Sequence, residues 1–185
     1  MESSFKNMTL CLLVICLVCS ALLAGVYSLT KEPISKAEQQ KLSLAIAEVL
    51  PQFDSLGVLS TVEMGGKSFE YYPAYSVEGN FVGAAINSSA VGFGGSLEIM
   101  VGVDAEGNVY NTSVLSHSET PGLGAKCTEG FKDQFKGWNA SEKKLSVKKD
   151  GGEVDAITAA TITSRAYVQA IDTALKVYGR ITDEQ

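Results

Sequence analysis

One histidine, His117, stands in 185 residues, which excludes any site built from two or more histidines. Cysteine is nearly as sparse. Cys11, Cys16 and Cys19 lie within an apolar N-terminal run, and only Cys127 lies beyond it. The remainder of the chain therefore has no intrachain disulfide and no Cys-rich zinc or iron–sulfur site. There is no C-x-x-C-H for covalent c-type haem. Basic residues are also short, with Lys+Arg 15 against Asp+Glu 21 and a net charge of -6. Nucleic acid is a poor partner for such a chain, because phosphate backbones demand clustered Lys and Arg. No G-x-S-x-G is present, so His117 and Glu119 lack the nucleophile that a hydrolase would need.

What the chain does have begins with the apolar run. Residues 8–29 contain no charge, and a helix needs ~20 apolar residues to cross a bilayer core. A cleaved signal peptide has a shorter core, ~7–15 residues, and a small-residue cleavage site that is missing here. Ile15 and Val18 precede Cys16 and Cys19, where a lipoprotein needs a small residue. The run reads as an uncleaved anchor. Lys6 lies on one side of it and Lys31, Lys36 and Lys41 on the other, so the positive-inside rule gives no support to an N-inside orientation.

The soluble part reads as one α+β domain. Ser35 and Glu38 form a capping box, followed by a helix bearing Leu42, Ile46 and Val49 and stopped by Pro51. Runs rich in Val, Ile, Tyr and Thr predict strands over 58–64, 68–75, 81–86, 97–103 and 109–115, with a hairpin turn over 104–108. Residues 125–135 read as helical, and 145–149 as a further strand. The last helix carries Tyr167, Ile171, Ala174, Leu175 and Tyr178 on one stripe, and Gly179 ends it.

Two stretches carry candidate chemistry. The first is His117-Ser118-Glu119-Thr120-Pro121-Gly122-Leu123-Gly124, a loop with a Pro-Gly turn. The second is Asp155-Ala156-Ile157-Thr158-Ala159-Ala160-Thr161-Ile162-Thr163-Ser164, four hydroxyls before the last helix. Thr163 or Ser164 can cap that helix. The same helix start can instead bind a phosphate, and the small Ala159 and Ala160 leave room for a bulky group to approach.

Together the two stretches resemble the FMN-binding domain of the G subunit of Rnf-type electron-transport complexes, to which the C subunit of the sodium-pumping NADH:quinone reductase is similar. Residues 117–124 match the family's H-x-E-T-P-G-L-G. Residues 155–164 match D-x-x-[ST]-G-A-T-x-T-S, except that Ala159 replaces the usual glycine. Gly92-Phe93-Gly94-Gly95, then Val101-Gly102-Val103-Asp104 and Gly107, resemble the family's central hairpin. The likeness runs from Gly79 into the last helix and includes the anchor; residues 35–76 match in outline only.

The resemblance implies an N-terminal transmembrane helix followed by a single FMN-binding domain, with a mainly antiparallel sheet and flanking helices. Residues 1–30 would be a cytoplasmic tip and anchor, 31–78 a linker helix and the start of the domain, and 79–185 its core. It implies FMN joined covalently to Thr161 by a phosphoester. Asp155 and Thr158 occupy motif positions read by a flavin transferase, and Thr158, Ala160 and Thr163 are cofactor-binding residues of the same site. Glu119, Thr120, Gly122, Leu123 and Gly124 would line the flavin ring, with Leu123 as an apolar face and Thr120 as a polar contact. Alanine at position 159 would cost about 1 kcal/mol if the backbone there needs a positive φ. The implied function is electron relay between reduced ferredoxin and NAD, coupled to ion translocation, in a bacterial inner membrane. The domain would face the periplasm or cell exterior, and other membrane subunits would complete the complex. The alternatives are the C subunit of the quinone reductase and a non-redox extracytoplasmic module that binds an anion.

Overall fold

A computed structural model describes residues 5–139 and 143–183. The first four residues of the expected N-terminal tip lie outside the described residues. The chain divides into two units, Met1–Lys41 and Leu42–Gln185.

The first unit is helical. Helix α1 spans Phe5–Val49, and its apolar window has a mean hydropathy of 2.7 with none of it buried, which makes it a candidate membrane span. The hydroxyls of Thr9, Ser20 and Thr30 donate to carbonyls four residues back, at 2.9, 2.7 and 2.9 Å. Those bonds satisfy polar groups within the helix itself, as hydrocarbon requires. The helix does not restart at Ser35. It passes through Pro33, because two helix-forming stretches abut there and Pro33 removes only one backbone bond. An i,i+4 pair between Lys36 and Glu32, at 2.7 Å, spans the proline.

The second unit is built on a sheet. Its strands are β1 (Ser55–Leu56), β2 (Ser60–Met64), β3 (Lys67–Tyr75), β4 (Phe81–Val91), β5 (Ser96–Asp104) and β6 (Val109–His117). All pairs are antiparallel in the order β1-β3-β4-β5-β6, with β2 also pairing β3. Helix α2, Thr161–Asp183, follows and passes through Gly179 rather than ending there.

Side chains alternate across a strand, and β5 uses both faces. Leu97, Ile99, Val101 and Val103 join the α2 core, which holds Tyr167, Ile171, Ala174 and Val177. Met100 points to the other face, where Ala45, Ile46, Val49 and Leu50 from the end of α1 form a second core with Ala74 and Ala85. Gly102 lies beside Met100 on that face, and any Cβ there would overlap the Val49 carbonyl. Burial on both faces explains why 97–103 reads as a continuous apolar run. Glu48, in the last turn of α1, pairs with Lys132 and accepts from Ser113 at 2.8 Å. Burial raises its pKa, but those two partners outweigh it and hold the carboxyl below the usual range.

Three further expectations are revised. Strand β4 extends past residue 86 through Asn87-Ser88-Ser89, because the buried Ser88 hydroxyl donates to the Ala170 carbonyl at 2.8 Å. Residues 125–135 form two 3₁₀ segments, Gly124–Thr128 and Gly130–Phe135, broken at Glu129. Residues 145–149 make one parallel bridge, Val147 to Val154, before a 3₁₀ turn over Lys148–Asp150.

Candidate functional site

A carboxylate organises the site. Glu119 follows the end of β6 and is only 5% exposed. Its Oε2 accepts the Thr163 hydroxyl at 2.6 Å, and its Oε1 accepts the Gly94 N–H at 3.3 Å. Its own N–H donates to His117 Nδ1 at 3.2 Å. One side chain thus joins the β4–β5 turn, the loop after β6 and the first turn of α2. Gly124 makes this possible, since a Cβ there would lie 2.6 Å from Glu119 Oε2 and 2.7 Å from Thr163 Oγ1. Buried carboxylates persist where hydrogen bonds replace lost water.

Beside Glu119 opens a cavity of about 350 Å³, lined by Phe93, Glu119, Thr120, Leu123, Gly124, Ala159, Ala160, Thr161, Ile162 and Thr163. Its volume is within the range of small-molecule sites. Phe93, Leu123 and Ile162 make an apolar rim that remains partly open to solvent. The far wall is the start of α2. The N–H groups of Thr161, Ile162 and Thr163 precede the first intrahelical bond, Ser164 to the Ala160 carbonyl at 3.0 Å, so they have no intrahelical acceptor.

The four hydroxyls have different tasks. Ser164 accepts the Ile157 N–H at 2.9 Å and donates to the Ala160 carbonyl at 3.0 Å, closing the turn that leads into α2. Thr163 is committed to Glu119. Thr158 is exposed and outside the cavity wall. Thr161 lines the cavity, and its Oγ1 accepts from Lys149 Nζ at 3.2 Å.

Ala159 has a φ of 60°, alone among the non-glycine residues described. The Ala160 N–H bonds to the Ile157 carbonyl at 3.0 Å, so Ala159 holds the third position of a tight turn that ordinarily takes glycine. Ala159→Gly is expected to stabilise the domain by about 1 kcal/mol, raising Tm by roughly 2–4 °C. A lower Tm in a thermal melt would show that the turn is not strained.

Of the residues singled out from sequence, Glu119, Thr120, Leu123, Gly124, Ala160, Thr161 and Thr163 meet at the cavity. Gly122 and Thr158 do not; both are exposed and outside the wall, Gly122 with a φ of 76°. Asp155 faces Lys148 at 2.6 Å, and its N–H donates to Gln134 Oε1 at 2.9 Å. Sequence reasoning missed Phe93, Ile162 and Lys149 as site residues. Phe93 had a signal, an aromatic displayed between glycines. Cys127 is buried behind the site, its thiol pushed up to about 11 by burial and then by the charge of Glu119, so it stays protonated at neutral pH. Among the described residues no cluster of His, Cys, Asp and Glu could hold a metal.

The FMN-binding domain family matches residues 92–176, which include the whole cavity wall. The RnfG N-terminal region matches residues 1–49. The G subunit of the ion-translocating oxidoreductase complex from Aliivibrio fischeri is 37% identical over 193 residues, covering 96% of this chain and 92% of that protein. The corresponding G subunit from Methanosarcina acetivorans is 36% identical over 171 residues, covering 89% of each. Among solved structures, Shewanella oneidensis NqrC matches with a TM-score of 0.49 and 20% identity over 63% of each chain. The chain belongs to the family of G subunits of the ion-translocating oxidoreductase complexes, and its cavity lies within the FMN-binding domain.

Proposed function

We propose that this chain is the flavin-carrying subunit of an Rnf-type ferredoxin:NAD oxidoreductase complex and holds FMN by a phosphoester on Thr161. The observation that carries this reading is the division of labour among the hydroxyls. Thr163 and Ser164 are engaged in the fold, whereas Thr161 stands at the cavity wall beside helix-start N–H groups that precede the first intrahelical bond. The donor set fits a flavin phosphate. The apolar rim of Phe93, Leu123 and Ile162 fits a ring system, with Thr120 for its polar edge.

Bound FMN supplies the one- and two-electron chemistry, and it needs no side-chain acid or base for that. The chain's own contribution is to hold and shield. Leu123 and Phe93 limit water at the ring, Glu119 fixes the loop against α2, and the ester keeps the cofactor at high effective concentration. Other membrane subunits supply the ferredoxin and NAD chemistry, and a flavin transferase makes the bond. Purification of the full chain from its native host tests the reading. Flavin fluorescence is expected at the chain's position on a denaturing gel, and a dark band defeats covalent attachment.

Residues 1–30 form the cytoplasmic tip and anchor in this reading, residues 31–78 lead into the domain and complete its first strands, and 79–185 form the FMN-binding core, facing the periplasm or cell exterior. Protease added to intact spheroplasts is expected to digest that domain. Cleavage only in inverted vesicles would reverse the orientation, in line with the lysines at 31, 36 and 41.

A further inference from the structure

We propose that Lys149 is a positioning residue for flavin attachment, holding the phosphoryl group against Thr161 as the ester forms and pairing with the phosphodiester afterwards. This rests on the reading of Thr161 as the acceptor. The motif that precedes α2 is held by three consecutive residues of the 3₁₀ turn Lys148–Asp150. Lys148 pairs with Asp155 at 2.6 Å. Asp150 takes Arg165 in two bonds of 2.7 Å each. Between them Lys149 Nζ reaches Thr161 Oγ1 at 3.2 Å. The outer two contacts join the turn to both ends of the segment 155–165, so the backbone of Lys149 is fixed over the acceptor. The charge of Lys149 is felt by the adjacent Asp150, but both oxygens of that carboxylate are bonded to Arg165, and the hydrogen-bond partner of the ammonium among the bonds described is a neutral hydroxyl.

That pairing suits an incoming anion. The ammonium donates to a lone pair of Oγ1, so the hydroxyl hydrogen points away from Lys149, and its proton passes to water or to a base of the transferase as the bond to phosphorus forms. The co-reactant is a flavin bearing an activated phosphoanhydride. A bond forms between Oγ1 and the flavin-side phosphorus, the anhydride P–O bond breaks, the hydroxyl proton is released, and a nucleoside monophosphate departs. No electrons are exchanged. The phosphorus gains charge density on its non-bridging oxygens as this proceeds, where a rotatable point charge such as Lys stabilises it.

The test uses the full chain in detergent with flavin transferase and flavin adenine dinucleotide, following attachment by intact mass. Lys149→Ala is expected to slow loading roughly tenfold, with Lys149→Glu slower still and Lys149→Arg restoring most of the rate. Added salt should narrow the gap between wild type and Lys149→Ala. Circular dichroism and Tm should not change, because the side chain is exposed. Wild-type loading by Lys149→Ala and Lys149→Glu would overturn the proposal, as would an Lys149→Arg rate no better than that of alanine. Thr161→Ala is run beside them. If it loads no flavin, a failure belongs to Lys149 alone; if it loads normally, the acceptor assignment itself has failed.

Discussion

Thr161→Ala is expected to give a full-length, folded, membrane-bound chain with no flavin on it. The effect on cofactor is all or none, because a methyl group offers no oxygen to phosphorus. The effect on the fold is small. A hydroxyl at a helix start contributes ~1 kcal/mol, and the closure of this turn depends on Ser164 rather than Thr161. Glu119 keeps both of its bonds, since neither involves position 161. The mutant should therefore melt within about 4 °C of wild type while showing no fluorescence on a denaturing gel and no added flavin mass. Retained fluorescence would refute Thr161 as acceptor. A collapsed melt would leave the mass measurement to be made on Thr161→Ser, which keeps the oxygen and should load.

The second large effect is structural and lies on the opposite face of the sheet. Gly102→Ala places a methyl group where the Val49 carbonyl stands. Both partners are backbone, so no flexible side chain can swing away. Either β5 or the end of α1 must move, and each is buried: Met100 and Val101 are 0% exposed, and so is Val49. Overpacking of this kind costs typically 1–3 kcal/mol, and backbone against backbone belongs at the upper end. A loss of about 3 kcal/mol lowers Tm by roughly 6–12 °C for a domain of this size. Amide exchange should quicken first at residues 42–50. A melt within 2 °C of wild type would show that the second core is loosely packed.

Much of the fold was legible because its strands alternate with glycines and its last helix carries a clear apolar stripe. What escaped had specific causes. The unbroken α1 was hidden by a proline and a capping box, local signals that two abutting helix formers override. The continuation of β4 ran through Asn87-Ser88-Ser89, polar residues that suit a strand only because Ser88 meets the Ala170 carbonyl across the core. The 3₁₀ segments near 130 share the composition of an α-helix and differ only in hydrogen-bond spacing. At the site, the two motifs gave most of the cavity wall. Lys149 did not show, because it lies 12 residues from Thr161 with no period connecting them. The positive φ of Ala159 was foreseen only as a condition, through the glycine that the family has there.

Glu119 reaches 25 residues back to Gly94 and 44 residues forward to Thr163. Those separations bear on the order in which the chain folds. Each bond closes a long loop, and the entropy of closure must be met before the bond can contribute. Neither a nascent β4–β5 hairpin nor an isolated α2 can hold the carboxylate, so the cavity wall is completed only when sheet and last helix have come together.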